Sequence, residues 1–556
     1  RMPILNSTSI IIVTFIPLFF LTGMEGRMLV PLGIAFIVAL FASTVVALTL
    51  TPVLCSYLLG KGKTDKDISR EPFVARTLKK YYGQALEWAL RHRTGVLGGT
   101  IALFVAAMIT FFTLGRSFLP PFNEGSFTIN VSTLPGISLE ESDNIGRRAE
   151  ELLLEVPEIQ TVARKTGRAE LDEHALGVNT SEIEAPFVLG DRSHAEVVAD
   201  VRKKLSVIPG VNIEIGQPIS HRIDAMLSGT QARIAIKLFG DDLNRMFMLG
   251  NQIKKNISAI DGVVDLNVEQ QIERPQLKIT PRREMLARYG VSLSEFAEFI
   301  DVALAGEVVS QVYEGSRTFD LTVKVKDDER SSAAKIGDLM VDTQDGKVPL
   351  SYLAEIKSAT GPNTINRENV KRKIVISANV SDRDLRSVVD DIRERIDETV
   401  VLPEGYFIEY GGQFESEAAA SRTLSFVSLF SLLVVFLLLY NQFRSVSQSA
   451  VILLNLPLAL IGGVFILRFT TGEISIPAII GFISLFGIAT RNGMLLVSHY
   501  NTMLSEGNSL HDTILRGSLD RLNPILMTAL TSALALIPLA LGGDLPGNEI
   551  QSPMAK

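Results

Sequence analysis

The stretch 474–500, ISIPAIIGFISLFGIATRNGMLLVSHY, is apolar for longer than a bilayer is thick, yet Arg491 and Asn492 sit inside it. About 20 apolar residues are enough to cross the hydrocarbon. A charge at that depth costs several kcal/mol unless it faces protein or water, so it marks function. The alternative is a guanidinium that snorkels to the headgroups from a helix ending near it. The mostly apolar run from Asn492 through Tyr500 weighs against that alternative.

Six further segments pass the same length test, roughly: 4–21, 30–59, 95–114, 423–440, 450–469 and 522–541. Prolines punctuate them at Pro17, Pro52, Pro457 and Pro538, which membrane helices tolerate. A composition of 47% hydrophobic and 21% charged residues, with net charge −7, averages over membrane and soluble parts and decides nothing alone. The single cysteine, Cys55, excludes an intrachain disulfide framework and a cysteine-rich metal site. The chain opens on Arg1 and stops at Lys556 soon after an apolar segment, and is expected to be a piece of a longer protein.

Basic residues set the expected orientation. The segment 60–94 carries Lys61, Lys63, Lys66, Arg70, Arg76, Lys79, Lys80, Arg91 and Arg93, which predicts a cytoplasmic loop. Within it, 73–90 has an apolar face beside its basic residues and suits a helix lying in the membrane interface, or a plain amphipathic linker. Counting crossings puts 116–422 on the far side. It returns the loops 441–447 and 501–521, with Arg444, Arg516 and Arg521, to the cytoplasm.

The soluble stretch contains an internal repeat of strand, amphipathic helix and turn into another strand. The copies are FTINVST with a helix at 138–155 and VPEIQTV, IEAPFVL with 193–207 and IPGVNIEI, ARIAIKLFG with 242–260 and DGVVDLNV, and KRKIVISANV with 381–401 and LPEGYFIEY. Ser138/Glu141, Ser193/Glu196 and Ser381/Asp384 have the capping-box pattern or a close variant. Such units pair into βαββαβ, ferredoxin-like sandwiches. Two α+β subdomains are expected, at 115–229 and at 230–274 with 361–415. A separate module at 275–360, with a capped helix at 292–302 and a DG turn at Asp345–Gly346, is inserted in the second. The predicted order is helical membrane segments at 1–59, a cytoplasmic segment at 60–94, a span at 95–114, the α+β subdomains, and further spans within 423–541.

Several motifs together resemble the resistance–nodulation–division (RND) efflux permeases, over essentially the whole chain and about the second half of such a protein. They are GMEGRMLVPLGIAF and LTLTPVLCSYLL, FLPPFNEG and STLPGIS, HRIDAMLSG, GIATRNGMLLV and DRLNPILMTALTS. The resemblance implies a homotrimer in the inner membrane of Gram-negative bacteria, a proton-driven antiporter and not an enzyme. It further implies a tripartite pump with a periplasmic adaptor and an outer-membrane channel. The α+β subdomains then correspond to the porter and the inserted module to the docking domain, both periplasmic. No cofactor and no nucleic-acid partner are expected.

By the same resemblance, Arg491 takes the place of a lysine in the tenth helix that pairs with two aspartates of the fourth, with Asn492 beside it. Arginine stays protonated where a buried lysine can release its proton, so Arg491 is suited to clamping a carboxylate and not to carrying the proton. Thr528 and Arg521 match eleventh-helix members of that network. Thr528 can equally bond its own helix backbone, and Arg521 can equally be a positive-inside anchor.

The insert resembles the heavy-metal branch more than the multidrug branch. The three methionines that bind copper or silver there fall on Asn130, Glu182 and Ala225, and a nearby glutamate falls on Glu184. With Met226 only adjacent, no sulfur ligand remains at those positions, which disfavours soft Cu(I) and Ag(I). Glu182, Glu184 and Asn130, with His174 or His221, would suit a harder ion such as Zn²⁺, Co²⁺ or Ni²⁺. Asp224 and Glu124 are further candidates. Against this, Glu182 and Glu184 alternate with Ile183 as on the wet face of a strand, His174 lies in a polar loop, and Asp224 and Arg222 can pair at a hinge. Three readings stay open: a permease for heavy-metal cations, a permease for organic compounds, and a non-transporting membrane scaffold.

Overall fold

Among the described residues, six helices are long and apolar enough to cross a membrane: Gly23–Leu58, Arg93–Thr113, Gln413–Phe443, Val446–Thr470, Ile476–Ser505 and Leu510–Leu541. The computed structural model describes residues 2–58, 72–120, 122–167, 177–230, 232–271, 274–362, 364–543, 545 and 547–556. The apolar segment at 4–21 folds differently, as the helix Met2–Phe15 closed by a tight turn, Ile16–Phe20. Pro17 stands at the start of that turn, and without an N–H it cannot continue the α-helical ladder. The amphipathic segment forms the helix Phe73–Arg91, which leaves Phe73, Tyr81 and Trp88 exposed and packs Gly83 against Leu519.

The spans are fitted to one another by small residues. Met2–Phe15 packs on Ile476–Ser505 at Gly487, where a Cβ would come within 2.9 Å of Thr14 Oγ1 and 3.3 Å of the Ile11 Cα. Further along the same helix, Met494 is enclosed by Ile10, Val435, Leu439 and Ile452. Removing side chains at such contacts lets backbones approach and packing forces act.

The soluble stretch holds two sandwiches of one topology. In the first, the antiparallel sheet runs Ala163–Thr166, Thr180–Pro186, Ser126–Ser132, Asn212–Gly216. The helices Leu139–Leu154 and His194–Leu205 bury Ala149, Leu152, Val197 and Val201 against its Ile129, Val131 and Ile183. In the second, the order Val263–Val268, Lys371–Val380, Ile234–Phe239, Phe407–Gly412 repeats that arrangement, with helices Leu243–Ile257 and Leu385–Thr399. This is the βαββαβ order expected from the repeat.

Local details differ from the sequence reading. VPEIQTV supplies no strand of the sheet: Val156 and Ile159 turn into the core, and the strand forms at Ala163–Thr166. The Ser193 and Glu196 side chains form a full capping box. The last helix of the second sandwich is capped by Asp384, which accepts from Ser387 N, and not by Ser381.

The inserted module leaves the second sandwich on a two-stranded stem. Arg274–Pro281 pairs antiparallel with Ala354–Gly361, so the ends of the insertion stay adjacent. Leu286, Phe296, Leu350 and Leu353 give it a core of its own. From it projects the hairpin Glu307–Glu314 with Arg317–Val323, every residue of which is exposed.

Gly487→Leu should separate the two helices it joins. Overpacking of this kind costs about 1–3 kcal/mol, and a lowered melting temperature of the detergent-purified protein would report it; an unchanged melting temperature would contradict this packing.

Candidate functional site

The polar groups of the soluble part gather where the two sandwiches meet. The edge strand Asn212–Gly216 of the first lies against the edge strand Val263–Val268 of the second. The short helix Pro218–Ser228 bridges them, touching Ser126–Ser132 on one side and Phe407–Gly412 on the other. This covers a sheet face that would otherwise be wet, and Asn130 and Thr128 are accordingly buried. In register across the sheet stand Lys165, Glu182, Asn130 and Glu214.

Glu182 is largely covered and pairs with Lys165 at 2.6 Å. Glu184, two residues along the same face, is exposed, as the alternation with Ile183 suggests. His221 lies against Gly216, where a Cβ would come within 2.1 Å of Nε2, so only glycine leaves room for the ring. Both ring nitrogens of His221 are buried without a hydrogen-bond partner among the described residues. Burial pushes the imidazole down to about 4, against the opposing pull of the Glu182 and Asp265 charges. At neutral pH the ring is therefore uncharged, with a lone pair free to ligate.

The second sandwich contributes Asp265, held by Arg202 Nε at 2.9 Å and by Asn379 Nδ2 at 3.1 Å, and Ser377, whose Oγ lies 3.3 Å from Glu214 Oε1. Burial raises the Glu214 carboxyl. Sequence alone does not single out Glu214, Asp265 or Ser377, because each alternates along its strand like any solvated residue. Among the described residues no three His, Cys, Asp or Glu side chains stand close enough to form a complete metal cluster. Of the residues singled out in the sequence, Glu182, His221 and Asn130 lie at this seam, beside the buried Glu214 and Asp265. His174 lies outside the described residues.

Two other candidates hold the fold. Glu124 accepts from Ile219 N at 2.6 Å and Ser220 N at 3.1 Å, so its carboxylate caps the Pro218–Ser228 helix, whose own N-cap residue Gln217 provides no side-chain cap. A capping carboxylate of this kind meets the free N–H groups and the positive end of the helix dipole. Asp224 is buried on the same helix and accepts from Gln413 Nε2 at 2.7 Å, while Arg222 is exposed. Gln413 opens the helix Gln413–Phe443, so Asp224 joins the seam to a membrane span.

A second joint lies close by. Arg386, in the first turn of Leu385–Thr399, reaches Glu417 of the Gln413–Phe443 helix at 2.5 Å, and Ser421 donates to the same buried carboxylate at 2.7 Å. Asp384 accepts from Arg116 N at 3.2 Å, and Gly115–Arg116 pairs with Glu473–Ile474, between two spans.

In the membrane part, Arg491 and Asn492 are half-buried in the middle of Ile476–Ser505. Arg491 stands one turn beyond Gly487. No ion pair or hydrogen bond engages its guanidinium among the described residues. Thr528 donates to Pro524 O of its own helix at 2.9 Å. Arg521 has a buried Nε without a partner among the described residues. The structure thus brings Arg491 and Asn492 into the span interior, and does not join Thr528 or Arg521 to them by a bond.

The whole chain, residues 1–556, matches the model of the AcrB/AcrD/AcrF family. It is 32% identical to the cobalt-zinc-cadmium resistance protein CzcA of Cupriavidus metallidurans over 568 residues, covering 100% of this chain and 53% of that protein. It is 33% identical to Protein HelA of Legionella pneumophila, covering 100% and 53%, and 28% identical to the cation efflux system protein CusA of Escherichia coli, covering 99% and 54%. A crystal structure described as a heavy metal efflux pump superposes with a TM-score of 0.82 at 27% identity, over 100% of this chain and 56% of that one. The chain thus spans about half the length of the curated relatives it matches.

Burial raises the Asp224 carboxyl from an ordinary 3.8 to about 6, against the opposing Gln413 bond and Arg233 charge. The folded state therefore holds a proton that the unfolded chain gives up. The stability this adds is complete below 3.8 and is lost as pH rises through about 6. Asp224→Asn should remove that dependence, by an amount on the order of 1–3 kcal/mol. Melting curves from pH 4 to 8 would check it, and an unchanged slope would contradict it.

Proposed function

The chain belongs to the AcrB/AcrD/AcrF family of RND permeases, and from that premise we propose that the whole protein exports divalent transition-metal cations in exchange for protons. It is a multi-pass membrane protein. We place its membrane in the cell's inner boundary and its sandwiches in the periplasm, on the strength of the basic segment 60–94 and the soluble stretch between spans.

The observation that carries the reading is the pairing of two features in one chain. A guanidinium is held inside a membrane span, and a seam with a neutral imidazole lies above it, joined to the spans through Asp224 and Glu417. Arg491 would hold a carboxylate of another helix ionised until a proton arrives, and release it then. The released helix would move the joints, and the joints would move the sandwiches about the seam.

The cargo follows from the donors. Oxygen from Glu182 and Asn130 with nitrogen from His221 suits Zn²⁺, Co²⁺ or Ni²⁺ and not Cu(I) or Ag(I). Lys165 neutralises Glu182 when the cation is away, and the cation would displace its ammonium. Export of bulky organic compounds would call for an aromatic lining. Phe127 and Phe187 instead stack at 4.2 Å inside the first sandwich core, and Phe239 stacks on Phe407.

Assembly as a homotrimer with an adaptor and an outer-membrane channel fits the exposed hairpin Glu307–Glu314/Arg317–Val323. Its Val312, Tyr313 and Phe319 face solvent, and its free edges are a liability unless a neighbouring copy covers them.

Two expectations follow for a deletion strain carrying the complete gene, grown on Zn, Co, Ni, Cd, Cu, Ag and common drugs. Arg491→Ala should abolish resistance at normal expression and Arg491→Lys should keep part of it; full resistance in Arg491→Ala would contradict the reading. His221→Ala should weaken apparent affinity for Zn²⁺ by about ten-fold or more without loss of protein, and unchanged affinity would remove His221 from the site.

A further inference from the structure

The two helices Ile476–Ser505 and Leu510–Leu541 run antiparallel and touch at one end. Tyr500 Oη lies 2.5 Å from Ser518 Oγ, and a Cβ on Gly517 would come within 2.8 Å of the Tyr500 ring. In the same contact His499 Nε2 faces Asp520 Oδ2 at 3.5 Å. That is within ion-pair reach but longer than a hydrogen bond, and Nε2 is buried without a hydrogen-bond partner among the described residues. Pro524, four residues beyond Asp520, has no N–H to give the Asp520 carbonyl, so the turn carrying this carboxylate is also short of a backbone bond.

The spacing ties this pair to the span interior. Arg491 precedes His499 by two turns, and Thr528 follows Asp520 by two turns, so both lie about 12 Å deeper, level with each other on antiparallel helices. Arg491 and Thr528 thus share one depth on the two helices, and His499 and Asp520 share another nearer the helix ends.

We propose that His499 and Asp520 form the proton-release station of the coupling path, at the cytoplasmic end of the membrane domain. This rests on the reading of the protein as a proton-driven exporter. Arg491 cannot pass a proton on at physiological pH, so a proton given up by the carboxylate that Arg491 clamps needs a further acceptor on its way to the cytoplasm. An imidazole can take and release one there. The proton adds to a ring nitrogen of His499, the imidazolium is held by Asp520, and loss of the proton to cytoplasmic water restores the neutral ring. Arg521 adjoins Asp520 and Tyr500 adjoins His499 in sequence, and Tyr82 of the Phe73–Arg91 helix lies near Tyr500. Gln448 of the neighbouring span is bonded to Asn501 at 3.1 and 2.9 Å and closes that side with neutral groups.

The test uses the complete permease in proteoliposomes, with Zn²⁺ as cargo and a pH-sensitive dye reporting protons. His499→Gln and Asp520→Asn should each lower Zn²⁺-driven proton flux by about ten-fold or more. Half-saturating Zn²⁺ should stay near wild type, and the response to cytoplasmic-side pH should flatten. Tyr500→Phe, which loses only the Ser518 bond, should keep wild-type flux and pH response. Where one variant fails to reach the membrane, the other decides, since either breaks the pair. Wild-type flux and pH profile in the variants would overturn this inference alone. A shifted half-saturation with an unchanged pH profile would mark a structural role and overturn it too. A wild-type protein without Zn²⁺-driven proton flux would overturn both the exchange reading and this inference.

Discussion

Charge is expensive to keep away from water, and this chain keeps it there at two levels. In the membrane, Arg491 lies in the middle of a 30-residue helix. In the soluble part, Glu182, Glu214, Asp265 and His221 are enclosed where two sandwiches meet. At both levels the local structure is arranged around the cost. Gly216 gives up its side chain to seat the His221 ring, Arg202 and Asn379 satisfy Asp265, and Gly487 brings a neighbouring helix close beside the turn that carries Arg491. Such sites are destabilising by themselves, and a fold retains them where they carry function.

Polar contacts join the two levels beside an apolar cluster, in which Phe118, Leu119 and Leu227 pack with Ala420, Leu424, Ile476 and Ile480. Arg386 with Glu417, Asp384 with the Arg116 amide, and Asp224 with Gln413 each connect a sandwich element to the end of a span. A buried ion pair adds little stability over apolar packing, while removing one partner is costly. It therefore fixes which residues stay together when the elements around them shift. The short Pro218–Ser228 helix, capped from outside by Glu124, takes part at both ends: its His221 faces the seam and its Asp224 holds the span.

The architecture was legible because it rests on local signals. Apolar length identified six of the seven segments read as spans, all but 4–21, and the alternation of strands with capped amphipathic helices pointed to both sandwiches and the module between them. Errors fell where tertiary packing overrides such signals. Val156 and Ile159 look like strand residues but serve as core plugs in a turn. Glu124 looks like a ligand, yet it caps a helix that begins far along the chain, which no local pattern announces. Glu214, Asp265 and Ser377 read as the wet side of strands, and only the packing of one sandwich against the other turns that side inward. His499 sits near the end of an apolar run where a polar residue is ordinary. Its meaning depends on Asp520 across the helix pair.

The account stands or falls on where the cargo binds. Anomalous diffraction at the zinc edge, from crystals of the complete protein grown with Zn²⁺, measures this directly. The seam predicts a peak bonded to His221 and Glu182 at about 2.0–2.2 Å, with Lys165 moved off Glu182. A protein that carries zinc elsewhere, with the Lys165–Glu182 pair intact and no density at His221, would contradict it.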